Sequence, residues 1–352
     1  QEVPNGIKTC MYDGYPELYM QLNKKNDFVF QPDWYRGVEY PKELERGYAF
    51  NEDLYVPGYF ELKIKKGESV VFSAGLSEIK TTQLKQIADF EAKIRTPRDN
   101  FYHCLVNSAH QFYYHVDGEN YILAGYPWIA LPGLTLVNEE VEQFEMCMKT
   151  VEKGIREFMA GEPLSVKIHE IEHPDILLWA VWCIQQYGKI VSLQKCVEKY
   201  GLLAKDIMMY LSTSSHPNLK VRENGLVYAQ GKSKAVTWMN STANGRPIVP
   251  RSGYIVEFNA LWYNALKFSE EICQMVGRKE EEAHFAAMAV KAEQAFKDVF
   301  LNQYGYLFDY VDEKDQEQDW SVRPNMIFAV ALDYSPLSLP EKKTVFDICT
   351  KE

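Results

Sequence analysis

The stretch from Thr237 to Lys267, TWMNSTANGRPIVPRSGYIVEFNALWYNALK, decides the fold of this chain. Its first half is a loop punctuated by Gly and Pro, which favour turns. After Tyr254 nearly every position around a helical wheel is apolar, which is typical of a helix buried on all sides. Such a helix is too long for a core strand and too short to span a membrane. The stretch therefore predicts a polar and aromatic loop at the mouth of a buried helix, where a helical domain can hold a polar ligand.

Length and charge bound the class of protein. The 352 residues are 46% hydrophobic, enough to bury a full core in one large or two unequal domains. The net charge of -11 means that the chain has no excess of positive charge to bind nucleic-acid phosphates, so no nucleic-acid partner is expected. No apolar run reaches the length of a transmembrane helix, so no membrane partner is expected either. The oligomeric state stays open.

The seven cysteines are scattered singly along the chain, without a CxxC pair. This pattern predicts reduced thiols rather than a disulfide framework or a zinc site. Reduced thiols favour the cytoplasm, with the periplasm left open. Spacings typical of a Ser/His/Asp triad, a P-loop, a dinucleotide site or a metal site do not occur, so neither cofactor nor metal is expected.

Residues 1–77 are predicted to be a β-rich region. Residues 58–65 alternate apolar and polar side chains, and residues 69–74 come after a Lys-Gly turn, so the two segments predict a hairpin. Trp34 and Tyr35, like residues 43–48, are predicted to lie in loops. This is too little sheet to stand alone, and it is typical of the end of a β-sandwich domain or of a β layer resting on the helical part of the chain.

From residue 78 onward the sequence is predicted to be helical, with a linker over 78–97 and a barrel domain over 98–352. Predicted fully buried helices alternate with helices that are apolar on one side. An inner ring of helices wrapped by an outer ring requires this alternation, so the pattern predicts an (α/α) barrel, possibly incomplete because only about eight barrel helices are evident. The predicted helices cover residues 82–93, 99–115, 138–160, 174–184, 192–211, 281–300 and 324–332, with further ones after 254 and from 339.

Three loop segments place polar and aromatic side chains between the predicted buried helices. They are residues 124–128, residues 216–225, and residues 238–257 together with 319–325. Aromatic faces can stack on the C–H surface of a sugar, while amides and carboxylates bind its hydroxyls. Loop packing and helix capping explain each segment taken alone. Their recurrence at the same end of successive helices favours a carbohydrate site.

Several motifs, in one order along the chain, resemble the glucosidase region of glycogen debranching enzymes of the bacterial amylo-α-1,6-glucosidase type. They are AGYPW (124–128), IALPGL (129–134), ENGLVYA (223–229), AVTWMN (235–240), GRPIVPRSGYIVEFNALWYNAL (245–266) and WSVRPNMIFAVAL (320–332). Residues 45–62, ERGYAFNEDLYVPGYFEL, resemble the end of the β-domain that precedes the glucosidase in bacterial members. The resemblance covers nearly the whole chain.

The resemblance implies a mainly α fold, an (α/α)6 barrel preceded by a β-sandwich. It also implies inverting hydrolysis of the α-1,6-glucosidic branch stubs of glycogen or a related α-glucan. Such a reaction needs a carboxylic acid to protonate the leaving oxygen and a carboxylate to activate water on the opposite face. The family's general base is expected beyond Glu352.

One difference from the family lies at the acid position. The family motif reads Trp-Met-Asp where this chain has Trp238-Met239-Asn240, and that Asp is the expected general acid. An amide cannot deliver a proton as a carboxylic acid does. Asn240 therefore marks the catalytic acid position, and Glu257 is the nearest remaining carboxylate that could bind sugar hydroxyls or substitute as the acid.

The other candidate site residues would bind substrate. Five aromatic residues are candidate stacking walls, four polar ones are candidate hydroxyl ligands, and Glu223 is a second candidate carboxylate. The stacking candidates are Tyr126, Trp128, Trp238, Trp262 and Trp320, and the hydroxyl ligands are Arg251, Asn259, Arg323 and Asn325.

Two alternatives to a glycoside hydrolase stay open. Asn240 favours a carbohydrate-binding pseudoenzyme that lacks the general acid. An unrelated helical barrel, whose cleft is only structural, would explain the helical pattern without any sugar.

Overall fold

The computed structural model of the protein describes residues 1–122, 127–168 and 170–351. For Pro127 it describes the backbone only. The described residues are about 47% helical. The chain forms two compact units, residues 1–107 and residues 108–352. None of the described helices combines the length and the apolar character needed to cross a membrane. The predicted boundaries at residues 77 and 97 stay a prediction.

The first unit contains antiparallel sheets and short helices. One sheet has the order β1-β2-β3-β6, and a separate two-stranded sheet pairs β4 with β5. The strands are β1 (Glu2–Val3), β2 (Gly6–Thr9), β3 (Leu18–Leu22), β4 (Asp27–Glu39), β5 (Asn51–Glu61) and β6 (Phe72–Gly75). The helices are α1 (Pro41–Glu45), α2 (Leu84–Ile94) and α3 (Phe101–Ala109), the last of which crosses the boundary between the units.

The predicted hairpin of residues 58–65 and 69–74 is wrong. Its first segment ends in β5, which pairs with β4, and its second segment forms β6, which pairs with β3. The alternation of side chains identified a strand, but alternation carries no information about the partner strand. Trp34 and Tyr35, predicted to be loop, lie in β4, because this strand is long and pairs with β5 from Glu61 back to Asn51.

The second unit carries most of the helices. They are α4 (Pro127–Leu134), α5 (Val141–Ala160), α6 (Pro174–Ile190), α7 (Leu193–Ser212), α8 (Val256–Val276), α9 (Lys279–Phe300), α10 (Ile327–Ala331) and α11 (Leu339–Lys351). Its strands are short: β7 (Tyr113–Val116), β8 (Glu119–Ile122), β9 (Leu219–Val221), β10 (Val227–Ala229), β11 (Thr242–Ala243), β12 (Arg246–Pro247), β13 (Tyr254–Ile255), β14 (Tyr310–Asp312) and β15 (Glu317–Gln318).

Helix ends obey local capping chemistry. Ser192 begins α7 as predicted, and its Oγ accepts a hydrogen bond from the Lys195 amide. Asn100 likewise caps α3 through the amide of His103, at 2.8 Å. The prediction of one helix over 99–115 is wrong beyond Ala109, because the chain turns there into the β7–β8 hairpin.

The order of packing separates inner from outer helices. α6 packs against α4 and α8, and α8 packs against α10, while each of α6, α8 and α10 also packs against the next helix along the chain. In α8, 15 of 21 residues are buried, against 6 of 22 in α9. A buried amide pair joins the inner helices, since Asn264 of α8 and Gln185 of α6 exchange hydrogen bonds of 2.8 and 3.3 Å.

Candidate functional site

The backbone of the segment before α8 lies very close to the backbone at Val311. Gly253 has φ +98°, and a Cβ atom there would lie 2.3 Å from the carbonyl oxygen of Val311. Only glycine fits such a position without strain. Immediately afterwards β13 pairs with β14, which comes directly after Asp309 in the chain. This pairing brings the loop before α8 beside Asp309.

Arg251 is the centre of a buried ion network at the N-terminal end of α8. Its guanidinium donates to both carboxylate oxygens of Glu257, at 2.6 Å from Nη2 to Oε2, and its Nε donates to Asp309 Oδ2 at 2.8 Å. Glu257 and Asp309 are fully buried, and such charges persist in an interior only when they are paired. Burial raises the pKa of Glu257, and the guanidinium of Arg251 opposes that shift.

The network continues from Asp309 to the loop before α10. Asp309 also accepts hydrogen bonds of 2.7 Å from Arg323 and from Asn325, and Asn325 Oδ1 accepts one of 2.9 Å from the indole of Trp238. Three predicted site residues therefore bind Asp309 directly: Arg251, Arg323 and Asn325. Two more join the same network, Glu257 through Arg251 and Trp238 through Asn325.

Asp309 itself was missed by the sequence analysis. A signal for it exists, because Asp309 stands inside the apolar run Leu307-Phe308-Asp309-Tyr310. An acidic residue within such a run indicates a buried and paired charge. The sequence does not identify the partner, since Arg251 is 58 residues away along the chain.

Asn240 meets a second carboxylate that the sequence analysis also missed. Its side-chain Nδ2 donates to Glu170 Oε1 at 2.7 Å. The other oxygen of Glu170 lies 3.4 Å from His173 Nδ1, and the Glu170 side chain is 18% exposed. Glu170 has φ +56°, a left-handed conformation that costs a non-glycine residue on the order of 1 kcal/mol.

Residues 170–173, just before α6, connect two of the predicted loop segments. The Glu172 carboxylate pairs with Lys234 at 2.8 Å, and the Glu172 carbonyl accepts a hydrogen bond of 3.2 Å from Asn218. The loops after α7 and before α8 thus both reach the N-terminal end of α6. Asn240, held by Glu170, lies at this junction.

Two predicted stacking residues present an aromatic surface to solvent. Trp238 is 37% exposed although its indole N–H is bound to Asn325. Trp320 is 43% exposed and packs edge-on against Phe308, with ring centroids 4.6 Å apart. Both side chains are therefore accessible to a sugar ring while their other edges are held in place.

Asn259 and Trp262 are buried in α8 and fix the β9–β10 hairpin. The Asn259 side chain accepts from the Val227 amide at 2.8 Å and donates to the Val227 carbonyl at 3.0 Å. The indole of Trp262 donates to the Gly225 carbonyl at 3.0 Å. Neither side chain is exposed, so their predicted sugar contacts find no support in this geometry.

The remaining predicted residues are dispersed. Trp128 is buried at the start of α4, and its carbonyl accepts from Cys183 Sγ at 3.1 Å, because Pro132 has no N–H to bind it. Glu223 is exposed in the turn between β9 and β10. Tyr126 lies outside the described residues. Within the described ranges, no three His, Cys, Asp or Glu side chains cluster closely enough to hold a metal ion.

Two family profiles match the chain. The sequence profile of the Amylo-alpha-1,6-glucosidase family matches residues 107–352, and the profile named Glycogen debranching enzyme N terminal matches residues 1–71. No curated protein sequence matches the chain.

Among solved structures, a GH78 family rhamnosidase of Bacillus sp. GL1 is similar in fold, with a TM-score of 0.51 and 14% sequence identity. The match covers 99% of this chain and 38% of the rhamnosidase chain. At this identity the likeness bears on the fold alone.

Proposed function

This chain belongs to the amylo-alpha-1,6-glucosidase family, and we propose that it is a glycoside hydrolase of the glycogen-debranching type. Its substrate is the α-1,6-glucosidic branch stub of glycogen or a related α-glucan, and its reaction inverts the anomeric carbon. The observation that carries the proposal is one hydrogen-bonded network around Asp309, which contains Trp238, Arg251, Glu257, Arg323 and Asn325. These five residues lie in family motifs separated by up to 87 residues, yet they form one connected site.

The fold that goes with this function is an (α/α)6 barrel preceded by a β-sandwich. The described part of the chain supports it with helices α4, α6, α8 and α10 as inner members and α5, α7, α9 and α11 as outer members. The antiparallel strands of residues 1–75 support a β-sandwich origin for the first unit.

The exposed aromatic rings form the proposed sugar platform. A glucose ring stacks on Trp238, whose indole edge is held by Asn325, and Trp320 offers a second apolar surface. Arg323, partly exposed beside Asp309 and Asp319, donates to sugar hydroxyls. Because other side chains of the protein hold Trp238, Trp320 and Arg323 in place, the loops keep one arrangement when the substrate binds.

Glu257 takes a positioning role in this proposal. Both of its oxygens accept from Arg251 and its side chain is fully buried, so it does not contact the sugar. It orients Arg251, which orients Asp309 and through it Arg323 and Asn325. The predicted proton transfer by Glu257 therefore has no geometric support.

The proposal is tested by incubating the full-length protein with a limit dextrin that carries single-glucose α-1,6 stubs. We expect free glucose from this dextrin and none from linear malto-oligosaccharides, because an α-1,6-glucosidase cleaves the stub linkage and not the α-1,4 linkages of linear chains. Turnover of linear chains at the same rate, with no preference for the stub, would contradict the debranching assignment.

A carbohydrate-binding pseudoenzyme is the second candidate, and Asn240 is the observation that favours it, since an amide stands at the acid position. Calorimetry with isomalto- and malto-oligosaccharides separates the two candidates. Binding without glucose release supports the pseudoenzyme, whereas binding with release supports the hydrolase. The absence of any binding would leave only a structural cleft.

The cytoplasm is the proposed location. All seven cysteines are free thiols, and four of them are buried. Reduced cysteines are typical of a reducing compartment.

A further inference from the structure

An aromatic surface lies beside the candidate site, and it is formed by Tyr304, Tyr306 and Trp320. Tyr304 and Tyr306 lie between α9 and β14, and Trp320 lies between β15 and α10. The ring planes of Tyr304 and Tyr306 are within 17° of parallel, with centroids 6.5 Å apart. The Tyr304 ring also lies near Trp320, with centroids 6.1 Å apart and the planes at 66°. Trp320 is therefore one member of a larger group of adjoining rings.

The rings of this aromatic surface are accessible. The Tyr304 side chain is 64% exposed, Trp320 is also exposed, and Tyr306 is half-buried. Single exposed aromatic side chains are common on proteins, whereas adjoining ones mark binding sites. Tyrosine and tryptophan combine an apolar face with a polar edge, which matches a sugar ring with its C–H face and its hydroxyls. Because all three side chains are uncharged, the surface suits an uncharged ligand such as a glucan chain.

Hydrogen bonds hold the aromatic surface in one arrangement. The Asn302 side chain accepts from the Tyr304 amide at 2.9 Å, and the Asn302 backbone amide donates to the Tyr306 carbonyl at 2.9 Å. Asn302 is itself buried just after α9. The Tyr306 hydroxyl donates to the Trp320 carbonyl at 3.3 Å, which joins the two segments. A ligand that binds to such a preformed surface loses little free energy in ordering it.

The aromatic surface is continuous with the network around Asp309. Asp309 comes three residues after Tyr306, on the same segment. Trp320 comes directly after Asp319, and Arg323 Nη1 donates to both Asp319 and Asp309 at 2.7 Å. Both segments of the aromatic surface are thus connected to Arg323, a proposed ligand of sugar hydroxyls. A glucan chain bound at Arg323 therefore has adjoining aromatic rings within its reach.

We propose that the aromatic surface binds the main chain of the branched α-glucan, with Tyr304 as its most exposed stacking residue. This inference rests on the proposed function, because the main chain belongs to the same substrate. The branch stub is a single glucose, so the other sugar rings of the substrate lie outside the position that holds the stub. Sugar rings of the main chain stack on Tyr304 and Trp320, and the aromatic surface thereby favours a branched polymer over a small glucoside.

The test compares a substrate that has a main chain with one that has none. We expect Tyr304→Ala to raise the KM for the limit dextrin by about three- to tenfold with kcat unchanged, because one stacking contact is lost from both the ground state and the transition state. For α-D-glucosyl fluoride, which consists of a single sugar ring, we expect both constants to stay unchanged. Tyr304→Phe keeps the ring and should keep the KM for the limit dextrin. Tyr48→Ala, at a similarly exposed tyrosine of the first unit, is the matched control and should change neither KM.

Two kinetic outcomes overturn the proposal while the hydrolase itself stands. An unchanged KM for the limit dextrin in Tyr304→Ala would show that this ring does not contact the main chain, and equal losses on both substrates would give it a structural role. If the unaltered protein releases no glucose, the proposed function fails, and calorimetry with maltohexaose then tests the aromatic surface by binding alone. Maltohexaose should bind several-fold more tightly to the unaltered protein than to Tyr304→Ala. Equal binding, or no binding to either protein, would overturn the surface as well.

Discussion

Arg251 is the residue on which the candidate site most depends. Its single guanidinium binds both buried carboxylates, and one of these, Asp309, in turn holds Arg323 and Asn325. Arginine suits this position because its planar group donates bidentately and stays charged when buried. The residue types of this network could be predicted from the sequence, since Arg251, Glu257, Arg323 and Asn325 all lie in polar loops or at a helix start. The partners of Asp309 and of Glu170 could not be predicted, because only the folded chain brings them together.

Arg251→Lys tests the ion network directly. A lysine places one point charge where five donors were available, so it leaves Glu257 or Asp309 incompletely paired. We expect the free energy of unfolding to fall by about 3–5 kcal/mol, measured by denaturant titration. Arg278→Lys, on an exposed i,i+3 pair with Glu281, is the matched control and should change it by less than about 0.5 kcal/mol. Equal small effects of the two substitutions would show that the network is not tightly paired.

At the level of elements, helices were predicted better than strand partners. The buried helix α8 and the capped helix α7 could be predicted from apolar periodicity and from Ser192, which are local signals. The pairing of β5 with β4, instead of with the next segment along the chain, depends on contacts that alternation does not encode. The β9–β10 hairpin was missed because its strands have three residues each, too few for a periodic pattern.

The loop between α7 and β9 contains His216, whose burial makes the fold sensitive to acid. His216 is fully buried against Phe158 and Tyr210, its Nδ1 accepts from the Asn218 amide, and burial lowers its pKa to about 4. The unfolded chain takes up this proton near pH 6.5, before the folded protein does. This contribution to stability is therefore complete above pH 6.5 and is lost as the pH falls towards 4.

Denaturant titrations at pH 7 and pH 4.5 test this assignment. We expect the drop in the free energy of unfolding between the two pH values to be smaller in His216→Gln than in the unaltered protein, by up to about 3 kcal/mol. His284→Gln, at an exposed position of α9, should leave the drop unchanged. If both variants keep the full drop, the histidine at 216 is not the group responsible.

At the scale of the whole molecule, the two family matches lie in the order expected of a debranching enzyme, residues 1–71 and then residues 107–352. The sequence motifs predicted this family, and the family is confirmed. The alternation of buried and one-sided helices predicted inner and outer layers, which the packing of α4, α6, α8 and α10 reproduces for the described residues. The contact between Asn240 and Glu170 could not be predicted, because it depends on which loop reaches Asn240 in space.

The stereochemistry of the product tests the proposed inverting hydrolysis most directly. NMR spectra recorded during the first minutes of limit-dextrin hydrolysis, before mutarotation, distinguish the two anomers of the released glucose. We expect β-glucose to appear first, because water attacks C1 opposite to the departing α-1,6 oxygen. The appearance of α-glucose first, or of no glucose at all, would contradict inverting hydrolysis by this protein.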